Sequence, residues 1–74
     1  MRYVVAKNFD KVGSVAIKMT SGASVVGLKQ EMNLKYKGKN IQFVTISRPS
    51  AYGEYAPYHM VNTIEDFKKE VGKL

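Results

Sequence analysis

The stretch NIQFVTIS, residues 40–47, gives the clearest strand signal in this chain of 74 residues. Its β-branched and aromatic residues favour extended backbone. Ile41 and Phe43 fall on one face, and Val44 and Ile46 fall on the other. Because both faces are apolar, the sequence predicts a central strand. Pro49 cannot donate a ladder hydrogen bond, so we expect the strand to end just before it.

Two further strands are predicted upstream of this stretch. Residues 2–9 contain the apolar run Tyr3 to Ala6, which suggests an inner strand. A cluster of Asn, Asp, Gly and Ser follows, with Gly13 free to take a positive φ, and this composition indicates a turn. Residues 15–19 then alternate apolar and other side chains, which predicts a second strand with Lys18 facing solvent.

Residues 21–36 allow two interpretations. A helix capped near Ser21 or Ser24 is favoured by an apolar stripe at helical spacing, formed by Val25, Leu28, Met32 and Tyr36. The alternative is a hairpin turn at 21–22 that leads into a strand over 23–28. Gly27 counts against the helix, since glycine in mid-helix costs about 1 kcal/mol relative to alanine. We expect Gly27 to mark a close backbone contact or a hairpin, and Gly38 to end any helix.

Downstream of residue 47, an irregular segment runs to about residue 57. Residues 58–61 can return as a fourth strand. Asn62 and Thr63 both suit a helix N-cap, because an acidic residue stands three positions after each of them. Glu65 follows Asn62 in this way, and Asp66 follows Thr63. The predicted core stripe of this last helix is Ile64, Phe67, Val71 and Leu74.

The element order β-β-α-β-β-α predicts a small α+β fold. We expect a two-layer sandwich in which an antiparallel sheet of about four strands carries both helices on one face. Residues 1–74 form a single basic domain, because two cores would leave each half below about 40 residues. The chain has no cysteine and one histidine, so we expect no disulfide, metal or cofactor.

The apolar runs, such as Tyr3 to Ala6 and Ala51-Tyr52, are far too short to span a membrane. The first residues reach Lys7 before the core of a signal peptide would be complete. We therefore expect a cytoplasmic protein that is a monomer or a small homo-oligomer.

Residues 48–58 hold both prolines, three of the five tyrosines and one of the two arginines. Tyrosine offers a large rigid surface, and arginine offers a planar fork for anionic groups. This composition predicts a loop that recognises a protein partner, through Arg48, Tyr52, Glu54, Tyr55 and Tyr58. The alternative is a structural connection, with its tyrosines packed over the core edge and an ion pair between Arg48 and Glu54.

The formal net charge is +6, and lysines supply most of it. They form one cluster around the first helix and another on the last helix: Lys29, Lys35, Lys37, Lys39, then Lys68, Lys69, Lys73. Such clusters attract polyanions, so the alternative function is nucleic-acid binding, with phosphates held by lysines and bases stacked on the loop tyrosines. Lysines on solvated helices are also common as solubilising residues.

Catalysis has little support in this sequence. His59 is the only imidazole, and a Ser-His arrangement would need Ser47 or Ser50 with Glu54 as the orienting carboxylate. Residues of these types occur together readily by chance, and no phosphate-cradling glycine loop is present. We therefore predict a binding module that is not an enzyme.

Overall fold

The computed structural model describes residues 2–50 and 52–74. Residue 51, which belongs to the predicted loop and to one of the short apolar runs, lies outside the described residues, as does residue 1. The predicted order of elements is confirmed: β1 (Arg2–Asn8), β2 (Ser14–Met19), α1 (Gly22–Lys35), β3 (Ile41–Ile46), β4 (Tyr58–Val61) and α2 (Ile64–Val71).

The helical interpretation of the segment after β2 is correct. Ser21 caps α1, since its hydroxyl accepts a hydrogen bond from the backbone N–H of Ser24. The chain leaves the helix through Tyr36 and reaches Gly38, which has a φ of 85°. Both explanations offered for Gly27 are wrong. It lies within α1, and a Cβ added there would meet nothing within 4 Å.

The sheet has the strand order β3-β1-β2-β4. β1 runs antiparallel to both of its neighbours, whereas β4 lies parallel to β2. The fold class is confirmed, but the sheet is mixed instead of fully antiparallel. The prediction that residues 40–47 form a central strand is wrong, because β3 lies at one edge.

The path of the chain explains the parallel pairing. β3 ends opposite Tyr3, whereas β4 begins opposite Ser14, which lies at the other end of the sheet. The 48–58 loop must therefore cross from one edge to the opposite edge before β4 starts, and β4 then runs in the same direction as β2.

Both helices pack on one face of the sheet, as predicted. α1 contacts β3 and β2, and α2 contacts β2 and β4. The largest fully buried side chains of this core include Phe67 from α2 and Met32 from α1. Ile64 does not belong to the core stripe, since 41% of it is exposed in the first turn of α2. Leu74 is partly buried against the core.

The opposite face of the sheet carries a second, smaller buried patch. Val5 and Ala16 are fully buried and pair with each other across β1 and β2, yet they do not belong to the helix-side cluster. Since the helices occupy the other face, the 48–58 loop passes over this one. Gly13 permits the approach: its φ is 93°, and a Cβ there would lie 3.2 Å from the carbonyl oxygen of Pro57.

Candidate functional site

The 48–58 loop is fastened at its C-terminal half by Ser14 of β2. The Ser14 hydroxyl donates to the carbonyl of Tyr55 at 2.6 Å, and its backbone N–H donates to the carbonyl of Pro57 at 3.0 Å. The Tyr55 ring packs edge-on against Phe9, with 6.2 Å between ring centroids. Burial, followed by the charge of Glu54, raises the pKa of the Tyr55 phenol.

The tip of the loop contrasts with its fastened half. Tyr52 is 86% exposed, and Glu54 is exposed beside it. Local hydrogen bonds nevertheless order this tip. The backbone N–H of Tyr52 donates to the Ser50 hydroxyl at 3.2 Å, and that of Ala56 donates to the Gly53 carbonyl at 3.3 Å. The tip therefore presents an exposed ring on constrained backbone.

The residues predicted to recognise a partner thus divide into two groups. Arg48, Tyr52 and Glu54 are exposed, whereas Tyr55 and Tyr58 are half-buried. The alternative ion pair between Arg48 and Glu54 is absent from the salt bridges of the described residues.

An open groove of about 580 Å³ lies where the two ends of the loop meet. Its walls are Pro49, Ser50, Ala56, Pro57 and Tyr58. Sequence reasoning did not connect Pro49 with Pro57, because nothing in the local sequence shows that residues eight positions apart line one groove. Proline and tyrosine surfaces beside an exposed ring suit an apolar side chain of a partner.

The lysine clusters lie on and around the two helices. Lys68 pairs with Glu31 of α1 at 2.6 Å, and Lys73 pairs with Glu70 at 3.0 Å. The other predicted lysines make no ion pair among the described residues: Lys29, Lys35, Lys37, Lys39 and Lys69. The fold nevertheless brings one of these lysines to the loop, since Lys73 and Tyr58 line the same groove.

A second groove, of about 360 Å³, lies between the start of β2, the start of β4 and the end of α2. His59 Nε2 lies 3.4 Å from one carboxylate oxygen of Glu70, and the other oxygen of Glu70 accepts from Lys73. The hydrogen bond from Lys73 holds the pKa of Glu70 below its usual range. Sequence reasoning missed Glu70, because an acid eleven residues from a histidine gives no local signal.

This groove does not contain the suggested Ser-His-Glu arrangement. The carboxylate beside His59 is Glu70 and not Glu54. The serine that lines the groove is Ser14, whose hydroxyl already donates to the loop. Within residues 2–50 and 52–74, no group of three or more His, Asp or Glu side chains is placed to hold a metal ion.

Lys7 was not singled out from the sequence, although it is only 6% exposed. Its ammonium donates to the carbonyls of Lys11 at 2.8 Å and Gly13 at 3.4 Å. It also lies 5.4 Å from the centroid of the Phe9 ring. Lys7 therefore holds the β1–β2 turn against which the loop packs, and it is not available to a polyanion.

Among the described residues, neither helix is long and apolar enough to cross a membrane. Comparison with curated proteins gives no match. One family model, described as a family of unknown function, matches residues 1–74. Because that match covers the whole sequence, the chain belongs to this family of unknown function, DUF6718.

Proposed function

We propose that this protein is a small, non-enzymatic binding module that engages a protein partner through the tip of the 48–58 loop. The observation that carries the proposal is the contrast between Tyr55, which is held against Phe9, and Tyr52, which is 86% exposed. An exposed aromatic ring on ordered backbone loses little conformational entropy on binding. Tyrosine and arginine are also the residues most often found at the energetic centre of protein interfaces.

In this proposal Tyr52 is the anchor, and the groove beside it receives an apolar side chain of the partner. Arg48 and Glu54 lie exposed at the two ends of this surface and carry opposite charges. Exposed charges at the rim of an interface set orientation and association rate more than affinity. The interface is therefore expected to tolerate physiological salt.

A photo-crosslinking amino acid at position 52 tests the proposal in cells that produce the protein. We expect a discrete protein adduct from position 52 and none from Glu65, which is also exposed but lies on α2. Once the partner is purified, Tyr52→Ala should weaken its binding by about tenfold or more, as an anchor residue does. Equal adducts from both positions, or none from position 52, would contradict the proposal.

A second candidate function is polyanion binding by the helix face. It is supported by the exposed lysines at the end of α1 and after it, namely Lys35, Lys37 and Lys39, which make no ion pair among the described residues. An NMR titration with short single- and double-stranded oligonucleotides at low and physiological salt distinguishes the two functions. Shifts confined to this lysine surface that persist at physiological salt favour a nucleic acid, whereas shifts that vanish with salt exclude specific binding.

A further inference from the structure

β3 leaves one side of its backbone without a partner strand. Within the described residues it pairs with β1 alone. In an antiparallel pair, every second residue points its N–H and C=O groups at the neighbouring strand. The backbone N–H of Phe9 donates to the carbonyl of Asn40, so Asn40 is one of the residues that point at β1. Gln42, Val44 and Ile46 consequently point their backbone groups at β1. The N–H and C=O groups of the intervening residues point away from the sheet: Ile41, Phe43 and Thr45.

This edge lacks the features by which proteins usually protect exposed strands. β3 is six residues long and contains no proline and no charged residue. The opposite edge strand, β4, has only four residues and directly follows Pro57. A long uncharged edge with free donors and acceptors is a template for an additional strand.

The charges around β3 select the chemistry of that strand. No acidic residue occurs between Glu31 and Glu54 in the sequence. Lys37 and Lys39 stand just before β3, and Arg48 stands just after it. Cations therefore flank both ends of this edge, with Asp10 beside the first end, where its carboxylate accepts from the Asn40 side chain at 3.1 Å.

The side of α1 next to this edge adds to the same surface. Glu31 marks the side that faces α2, since it pairs with Lys68 at 2.6 Å. Residues on the far side follow each other at three- and four-residue spacing: Val26, Lys29 and Asn33. Because α1 packs over β3 and β2, this far side lies toward the β3 edge. Val26 is 56% exposed there and offers an apolar contact.

We propose that the β3 edge binds an extended acidic segment of a protein partner, which adds to the sheet as a further strand. Main-chain hydrogen bonds to Ile41, Phe43 and Thr45 supply the pairing, and the flanking cations select acidic side chains. A second copy of the chain fits less well. Antiparallel self-pairing of β3 would set Lys37 and Lys39 of one copy near Arg48 of the other, and each copy carries a net charge of +6. Arg48 lies next to both surfaces, but the pairing residues of β3 are separate from Tyr52, so the strand pairing does not depend on the loop anchor.

Amide hydrogen exchange tests the pairing residue by residue. The probe is an acetylated, amidated heptapeptide of alternating glutamate and valine, added to ¹⁵N-labelled protein. At saturation we expect exchange of the Ile41, Phe43 and Thr45 amides to slow by about tenfold or more, because they gain hydrogen bonds. The amides of Gln42, Val44 and Ile46 already pair with β1 and should change little. Equal changes in both sets, or no change in either, would overturn the proposal.

Two matched controls separate strand pairing from simple charge attraction. Two isomers of the heptapeptide are used, one N-methylated at its odd residues and one at its even residues, so that each lacks the N–H donors of one edge. We expect the isomer that lacks the donors facing β3 to lose binding. The double variant Lys37→Glu with Lys39→Glu should weaken the unmodified peptide by about tenfold. The control, Lys18→Glu with Lys69→Glu, changes the net charge equally at exposed positions away from the edge and should bind nearly as well as the parent.

Other occupants of the edge give distinct results. If a uridine oligonucleotide displaces the peptide and itself slows the Ile41, Phe43 and Thr45 amides, a nucleic acid is the occupant and the proposal fails. If these amides are protected in the protein alone and lose protection on dilution, β3 pairs with a second copy, and the proposal also fails.

Discussion

The two faces of the sheet are both buried, but they are buried by different means. β1 shows this within three consecutive residues, since Val4 and Ala6 belong to the helix-side cluster and Val5 does not. Phe67, Met32 and the other helix residues cover the first face with regular, amphipathic structure. The second face is covered by a loop that crosses the sheet without forming a strand or a helix.

The contrast shows how one segment can serve both stability and binding. Helix α2 uses two of its three apolar side chains, Phe67 and Val71, for the core. The 48–58 loop covers only a small patch around Val5 and Ala16, and Tyr52 at its tip is left 86% exposed. Loops held by a rigid scaffold are common binding sites for this reason. The following substitutions test how far the two faces differ.

Phe67→Ala should have the largest effect. The side chain is fully buried at the centre of the helix face, and removing such a ring costs about 3–5 kcal/mol. A domain of this size has a total stability of about 4–11 kcal/mol, so the variant should be close to unfolding. Urea denaturation followed by circular dichroism measures the change. Phe67→Leu keeps most of the volume and should remain folded, and a small effect of Phe67→Ala would mean that the helix face is not the main core.

Val5→Ala should have an intermediate effect, because it removes fully buried methyl groups from the loop face. We expect a loss of about 2 kcal/mol in the free energy of unfolding, from lost burial and an unfilled cavity. Urea denaturation again gives the value, and Lys18→Ala, at an exposed position of β2, is the matched control. A cost as small as that of the control would show that the loop does not seal this face.

Tyr55→Ala and Tyr52→Ala form a matched pair within the loop. The first removes the packing against Phe9 and should cost about 1–2 kcal/mol. The second removes an exposed ring and should change stability by less than about 0.5 kcal/mol. Thermal denaturation of both variants measures the two changes in stability. Equal losses would place Tyr52 in the core and remove the basis of the proposed protein interface.

Gly27→Ala should have the smallest effect and the opposite sign. A Cβ at this position meets no atom within 4 Å, and alanine favours helix over glycine. We expect a gain of about 0.5–1 kcal/mol, measured by urea denaturation. The same substitution at Gly13 should destabilise, since its φ of 93° and the nearby Pro57 carbonyl both oppose a side chain. A loss at Gly27 would reveal a constraint on α1 that the packing of the helix face does not show.

Local sequence predicted the elements correctly where one physical pattern dominated. The alternation of residues 15–19 identified β2. Asn62 and Thr63 were both predicted caps for α2, and the cap is Thr63, whose hydroxyl accepts from the Asp66 amide at 3.0 Å. α1 was harder to recognise. Its exposed side carries Val26 and Leu34, and Gly27 interrupts it, so the apolar stripe stands out less from the rest of the helix.

The composition of residues 48–58 located the candidate site, but it did not show which of its tyrosines is packed and which is exposed. Tyr52 and Tyr55 are the same residue type three positions apart, and nothing in the sequence shows that only one of them meets Phe9. That contact depends on where the loop crosses the sheet. The edge position of β3 escaped prediction for a related reason, since a strand with two apolar faces looks the same whether it has one neighbour or two.

The sequence alone determined which segments form strands and which form helices, because periodic burial and helix capping depend on residues only a few positions apart. It also determined the net charge of +6 and the absence of cysteine. Only the tertiary structure decided the strand order, the parallel pairing of β4, the path of the 48–58 loop and the free edge of β3. These depend on contacts between residues far apart in the chain, whose free energies arise only once all the elements pack around one core.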